Sequence, residues 1–284
     1  MSKVYVKFPK TGLGNLLLIW ARAYVFSEIN HLPLVTSSWW AFRWGAWLRN
    51  EKKKRLYWGY FRENGFLRRL GIQWFRLTHK IVHEPPIQKI DTRVSGNQLF
   101  LFDRVIVDND LFGSIRDYSD LISQKLYEML NPKLKKQLET YVPPVISIHI
   151  RRGDFKMGNP ITPESFFIKT IIEIRKAANE DLPVTVFTDA NEDEIMEVLA
   201  LPETHMASPK ADILDILLMS KSKFVILSRS STFSYWAAFL SDALVIRPAG
   251  DWQLKIKDKL PGNNYKELIF PVNSLKLKSE MKLQ

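Results

Sequence analysis

The chain has no cysteine among its 284 residues. No disulfide can brace it and no thiolate can hold zinc, so apolar packing must supply its stability and a reducing compartment suits it. Long apolar runs are also missing: the richest, Leu16 to Ala23, is interrupted by Arg22 and is too short to span a bilayer. The first residues, Met1-Ser2-Lys3-Val4-Tyr5-Val6-Lys7-Phe8, alternate like a strand and carry no signal-peptide core, so a soluble, cytoplasmic protein is expected. Acidic residues are in short supply. Thirty Asp and Glu against 41 Lys and Arg leave a net charge of +11, which implies an anionic partner: nucleic acid, a phosphorylated small molecule or an anionic membrane face. With 46% apolar and 25% charged residues, the composition is otherwise that of a globular protein, and the length suits two medium domains.

Several motifs are absent or incomplete. Gly12-Leu13-Gly14-Asn15 follows a strand but lacks the third glycine of a dinucleotide fingerprint, Leu17 standing there, and lacks the Gly-Lys-Ser/Thr of a P-loop. It still allows close backbone approach of a ligand at Gly14, with Asn15 able to donate or accept. No Gly-x-Ser-x-Gly elbow occurs, which argues against a hydrolase triad. His79 and His83 have the spacing of a zinc-protease pair, but Lys80 stands where the glutamate belongs, so no metal site is expected. Asp108-Asn109-Asp110 reads as a turn rather than a cation loop. No helix-turn-helix, RRM or zinc-finger pattern accompanies the positive charge, so no nucleic-acid partner is expected.

What is present is a strand–helix alternation. Residues 3–8 predict a strand, a helix is predicted from about Asn15 to Asn30, and Leu32 to Thr36 predicts a second strand, together a β-α-β opening. Leu99 to Phe102 and Val105 to Val107 read as strands, and 117–141 as helix broken at Asn131-Pro132. Pro143-Pro144 marks a domain boundary. Beyond it, strands are predicted at Val145 to Ile150, Val184 to Thr188, near His205, at Phe224 to Ser228 and at Ala243 to Ile246. Helices are predicted between them: one capped by Thr162 and Pro163, one over Glu192 to Leu201, one over Ile213 to Met219 and one over Phe233 to Leu240. This is a doubly wound α/β pattern. The expected domains are 1–142, 143–250 and a tail, 251–284, able to return to the first.

From Arg43 to Lys80 eleven basic residues face two acidic ones, interleaved with aromatics such as Trp44, Trp47, Trp58 and Trp74. Such a stretch suits bases, sugars or a membrane interface, or is a solvated basic surface over an aromatic core.

Ligands of open α/β sheets bind beyond the carboxyl ends of strands, and three strands end in suitable chemistry. The first tip is His149-Ile150-Arg151-Arg152-Gly153-Asp154. Alternation puts His149 and Arg151 on one face and Arg152 on the other, and adjacent guanidiniums beside a glycine suit a diphosphate. The alternative is an arginine paired with Asp154 to brace the loop. At the second tip, Asp189 can accept from a ribose or base, or simply cap the next helix. The third tip is Ser228 to Ser234. There Ser230, Ser231 and Thr232 lie at a helix N-terminus whose unpaired N–H groups could cradle a phosphate, or they form a ligand-free cap.

Taken together these segments resemble the bacterial branch of the α-1,2-fucosyltransferase family, within the wider fucosyltransferase superfamily. VISIHIRRGDF, residues 145–155, resembles its His-x-Arg-Arg-Gly-Asp signature. Thr162 to Phe167 falls where the branch opens a helix on an aromatic pair, Ser230 to Ala238 is similar to its Ser-Ser-x-Ser-x-Trp-x-Ala block, and Gly12 to Asn15 matches its Gly-Leu-Gly-Asn. The resemblance spans most of residues 4–246. It implies a GT-B arrangement, two Rossmann-like domains facing across a cleft. It also implies an inverting, metal-independent glycosyltransferase that moves L-fucose from GDP-fucose to a glycan hydroxyl, with α-1,2 linkage to galactose expected. No cofactor is implied; GDP-fucose is the donor substrate. On this reading Arg151 grips the β-phosphate, with Arg152 beside it. His149 lies near the guanine or ribose, Asp189 helps hold the nucleoside, Ser230, Ser231 and Thr232 complete the cradle, and Gly14 and Asn15 face the donor from the other domain. Asp154 is a candidate general base, with pairing to an arginine as its alternative.

Departures from the family pattern are Ala190 in place of a second acid, Arg229 before the serine pair and Tyr235 in place of tryptophan. The 43–80 stretch matches no family motif and raises a lipid-linked acceptor at an inner membrane, met through peripheral contact with anionic headgroups. The alternatives are the same fold with another GDP-deoxyhexose or linkage, a basic nucleic-acid-binding protein, or a non-catalytic glycan-binding relative.

Overall fold

The structure is a computed structural model, and it describes residues 1–40, 56–62, 72, 74–90, 97–106, 108–153, 161–208, 210–251, 253–258 and 262–281. Asp154 and most of the basic-aromatic stretch lie outside the described residues. Two sheets with parallel pairing organise these residues.

The first sheet comprises β1 (Lys3–Val6), β2 (Leu34–Thr36), β3 (Lys80–His83) and β4 (Gln98–Phe102), in the order β2-β1-β4-β3. Helix α1 (Leu13–Ile29) connects β1 to β2, the predicted β-α-β opening. Strand β3, with Ile81 and Val82 at its centre, was not legible beneath the charge around it. Conversely, 103–106 is not strand. There Glu84 Oε1 accepts from the backbone N–H of Asp103 and of Arg104, ending the ladder in a side-chain-capped turn.

A 3-10 turn (Gly113–Tyr118) leads to α2 (Ser119–Met129) and α3 (Pro132–Thr140). The break falls at Asn131-Pro132, where the Asn131 carboxamide accepts from Lys133 N at 2.9 Å and caps α3.

The second sheet holds β5 (Ile146–Ile150), β6 (Val184–Thr188), β7 (Thr204–Met206), β8 (Phe224–Ile226), β9 (Leu244–Arg247) and β10 (Lys266–Ile269), in the order β10-β9-β8-β5-β6-β7. Its helices are α4 (Glu164–Ala178), α5 (Met196–Leu199), α6 (Asp212–Met219), α7 (Thr232–Phe239) and α8 (Ser274–Met281). Helix α4 starts one turn position later than expected, because the Thr162 hydroxyl accepts from Arg229 N at 2.8 Å instead of capping. The single helix expected over 192–201 is a 3-10 turn, Glu192–Glu194, followed by the short α5, with Ile195 (φ −139°) breaking the run. After β9 the chain passes back along the first half, where Leu254 N donates to Asn109 O and Arg116 donates to Lys255 O. It then returns to the second half, where β10 extends the sheet and α8 packs on α4.

Helix α1 is buried almost all round, which accounts for its near-continuous apolar sequence. Ile19, Ala23 and Phe26 face the first sheet, whereas Leu16, Leu17, Trp20, Ala21 and Tyr24 join a core shared with α6 and α7. The Arg22 that interrupts the run is itself buried and donates to Arg104 O at 2.7 Å, beside Glu84. Burial lowers its pKa, and Glu84 offsets part of that.

The two halves are therefore fixed to each other by packing between α1 and α7. Trp236, fully buried, donates its Nε1 to Gly14 O at 2.8 Å. A side chain on Gly14 would come within 2.7 Å of Thr232 Oγ1 and 2.9 Å of Thr232 C, so glycine there is what lets the two helix ends meet. The close approach allowed by Gly14 is thus made by a neighbouring helix.

Candidate active site

An open cleft of about 160 Å³ lies where the two halves meet, beyond the carboxyl ends of β5 and β6. From the first half, Gly12, Leu13, Gly14 and Tyr57 line it. Tyr57 is held with φ +53°, and its phenol oxygen accepts from Leu13 N at 2.8 Å, satisfying the first free N–H of α1.

From the second half come His149, Arg151, Gly153, Phe187, Thr188, Asp189 and Ser230 to Phe233. Arg151 Nη1 lies 2.9 Å from Asp189 Oδ2, with both side chains about one-fifth exposed (20% and 23%). The other Asp189 oxygen accepts from Arg152 N at 2.8 Å. Gly153 has no side chain to collide with that carboxylate. Among the described residues, Asp189 at the neighbouring strand tip pairs with the arginine tip.

Ser228 joins two strand ends: its hydroxyl donates to His149 O at 2.6 Å and accepts from Arg151 N at 3.1 Å. His149 stacks on Phe233, ring centroids 5.0 Å apart, with Nδ1 3.4 Å from Ser231 Oγ. Ser230 takes the left-handed conformation, φ +56°, and donates its N–H to Asp251, which also accepts from the Tyr235 hydroxyl at 2.6 Å. Arg247 backs this brace, its Nη1 3.9 Å from Asp251 Oδ2 and its Nε 2.9 Å from Glu267 Oε1. The serine loop is thus anchored from behind, leaving the first turn of α7 facing the cleft.

Of the residues expected in the site, His149, Arg151, Asp189, Ser230, Ser231, Thr232 and Gly14 are brought together on the cleft wall. Arg152 and Asn15 are not among its lining. The Arg152 guanidinium is buried, donates to Thr162 O at 2.9 Å and braces the loop entering α4; burial lowers its pKa. The Asn15 amide donates to Thr11 Oγ1 at 3.0 Å across the turn before α1. Asp212 and Asp215, which had no place in the expected site, also line the cleft from the first turn of α6, both largely buried. Asp215 lies 3.5 Å from Lys210, and Asp212 N donates to Tyr60 Oη. Their spacing of three on one helix face was the available signal, masked by a wholly apolar remainder of α6.

Two sheets with parallel pairing that meet at a cleft are the GT-B architecture. Residues 109–249 match the model of Glycosyl transferase family 11. Among solved structures, NodZ α-1,6-fucosyltransferase soaked with GDP-fucose superposes with a TM-score of 0.54 at 13% identity, covering 90% of this chain and 98% of that one. POFUT1 in complex with GDP-fucose gives 0.55 at 12% identity, covering 96% and 98%. Fucosyltransferase NodZ from Bradyrhizobium gives 0.51 at 15%, covering 85% and 94%. No curated protein sequence matches the chain. Among the described residues no helix is long and apolar enough to cross a membrane.

Proposed function

We propose that the protein transfers L-fucose from GDP-fucose to a hydroxyl of a glycan acceptor, with inversion, without a divalent cation, and with α-1,2 linkage to galactose. The observation that carries this reading is Arg151 held by Asp189 opposite the serine-rich start of α7. A nucleoside diphosphate placed between them meets a permanent cation on one side and helix N–H donors on the other. As the acceptor oxygen attacks the anomeric carbon, the bond to the β-phosphate oxygen breaks and its electron pair stays on the diphosphate. Arg151 and the α7 donors stabilise that charge without reorganising. The acceptor proton passes to a base, for which Asp154 is the candidate carried from the sequence motif.

Asp212 and Asp215 favour guanine over a pyrimidine. A carboxylate accepts two adjacent donors, and the guanine edge presents N1–H beside the N2 amino group. His149 and Phe233 offer a flat face to the base or ribose. The match over 109–249 and the GDP-fucose-bound NodZ and POFUT1 structures support the same donor.

Titration calorimetry with GDP, GDP-fucose and UDP, each with and without EDTA, tests the reading. GDP binding that is unaffected by EDTA and stronger than UDP binding is expected; equal affinities, or loss with EDTA, would overturn the donor assignment.

A peripheral membrane site at a cytoplasmic face is part of the proposal, supported among the described residues by Trp58, Trp74 and Leu77, which are 80%, 68% and 83% exposed. Co-sedimentation with anionic but not neutral vesicles is the expected outcome.

A further inference from the structure

Behind the serine loop lies a second, open cavity of about 230 Å³, which the donor chemistry leaves unused. Residues 229 and 230 serve different spaces: Ser230 lines the donor cleft, whereas Arg229 lines the second cavity. The left-handed turn at Ser230 makes the 228–232 loop a wall common to both. Phe166, Phe270, Pro163 and Pro248 form apolar surface, with the Phe166 and Phe270 rings edge to face at 5.3 Å. Ser165, Phe166 and Lys169 project from one face of the first turns of α4, so a hydroxyl and an ammonium border that surface.

Arg229 is built into place. Its guanidinium donates to Ala249 O, its backbone N–H donates to Thr162 Oγ1, and Gly250, at φ +67°, has no side chain to displace it. The nearest acid on α4, Glu164, is turned to α5, where it accepts from Val198 N at 3.1 Å. The cavity therefore offers two cations, a hydroxyl and flat apolar walls.

We propose that this cavity binds an acidic sugar, a pyranose bearing a carboxylate or a phosphate. The ring lies against the Phe166, Phe270 and proline walls and the anion reaches Arg229 and Lys169. That the sugar is a unit of the acceptor glycan rests on the transfer reading above; the binding itself does not.

The test is ligand-observed NMR and calorimetry on the full chain with glucuronate, glucose 6-phosphate and glucose, with and without saturating GDP. Both anionic sugars should bind at least about tenfold more tightly than glucose, and should lose about tenfold in Lys169→Glu and in Arg229→Gln. GDP should not displace them, and GDP affinity in Lys169→Glu should be unchanged. Binding no stronger than glucose, binding that survives both variants, or displacement by GDP would overturn the proposal. GDP affinity is scored separately, so failure here leaves the donor reading standing, and the reverse. For the acceptor assignment, an acidic glycan should show a raised KM with kcat unchanged in Lys169→Glu, and a neutral one should show no change. An equal effect on both would remove the acceptor from this cavity.

Discussion

Arg151 and Asp189 meet across the tips of adjacent parallel strands, Nη1 to Oδ2 at 2.9 Å, with the register Ile150 opposite Thr188 bringing them together. The pair does more than neutralise a charge. Asp189 also accepts from Arg152 N, so one carboxylate fixes both the guanidinium and the backbone of the loop that presents it. Arg151→Lys keeps the charge but loses the planar fork. The expected outcome is a fall of about 10²–10³ in turnover with an unchanged circular dichroism spectrum and unfolding midpoint. Normal turnover would remove Arg151 from the chemistry.

Gly14 is a packing requirement. Gly14→Ala places a methyl against Thr232 and should cost about 1–3 kcal/mol in denaturant unfolding. Because the strain falls on the α1–α7 contact at the cleft, GDP affinity should fall with stability. A stable variant with intact binding would show that the helices separate at little cost.

Asp215 tests base choice. Asp215→Asn removes a carboxylate from the cleft wall and should lower GDP affinity by about tenfold, the scale of one hydrogen bond to a charged group, while leaving UDP affinity unchanged. A parallel loss for both nucleotides would point to the Lys210 pair bracing α6 instead.

Alkaline pH should destabilise the fold. Burial raises the Tyr235 and Tyr265 phenols above their ordinary value, with Asp251 and Glu267 adding to the shift. Above pH about 10 the unfolded chain releases phenolic protons that the native state keeps, so unfolding becomes easier as pH rises. The limiting slope is about 1.4 kcal/mol per pH unit for each such tyrosine. Stability contributed by these groups is complete below pH about 10 and is lost above it. Urea unfolding between pH 8 and 11 checks this, Tyr235→Phe being expected to flatten the decline.

Much of the second half was legible because its elements are local. A strand of Val, Ile and Phe, a tip of arginines or serines and an amphipathic helix recur with short connections, and the structure places them in one parallel sheet. Strand β10 escaped because Lys266-Glu267-Leu268-Ile269 has no alternation; its pairing partner β9, not its composition, makes it a strand. Strand β3 escaped for the same reason. His149 and Arg151 on one face, with Arg152 on the other, followed from alternation alone, yet which face met the cleft did not.

The amino-acid order by itself determined most of the helices and central strands, the charged and hydroxyl-bearing strand tips and the glycines able to admit a close neighbour, because each depends on residues within a turn or two. Tertiary structure decided that Asp189 holds Arg151, that Arg152 turns inward, that Asp212 and Asp215 reach the cleft and that Gly14 makes room for Thr232. Those outcomes depend on which distant segments pack together. Burial and steric fit between α1, α6 and α7 set that choice, and no short window of sequence contains all three.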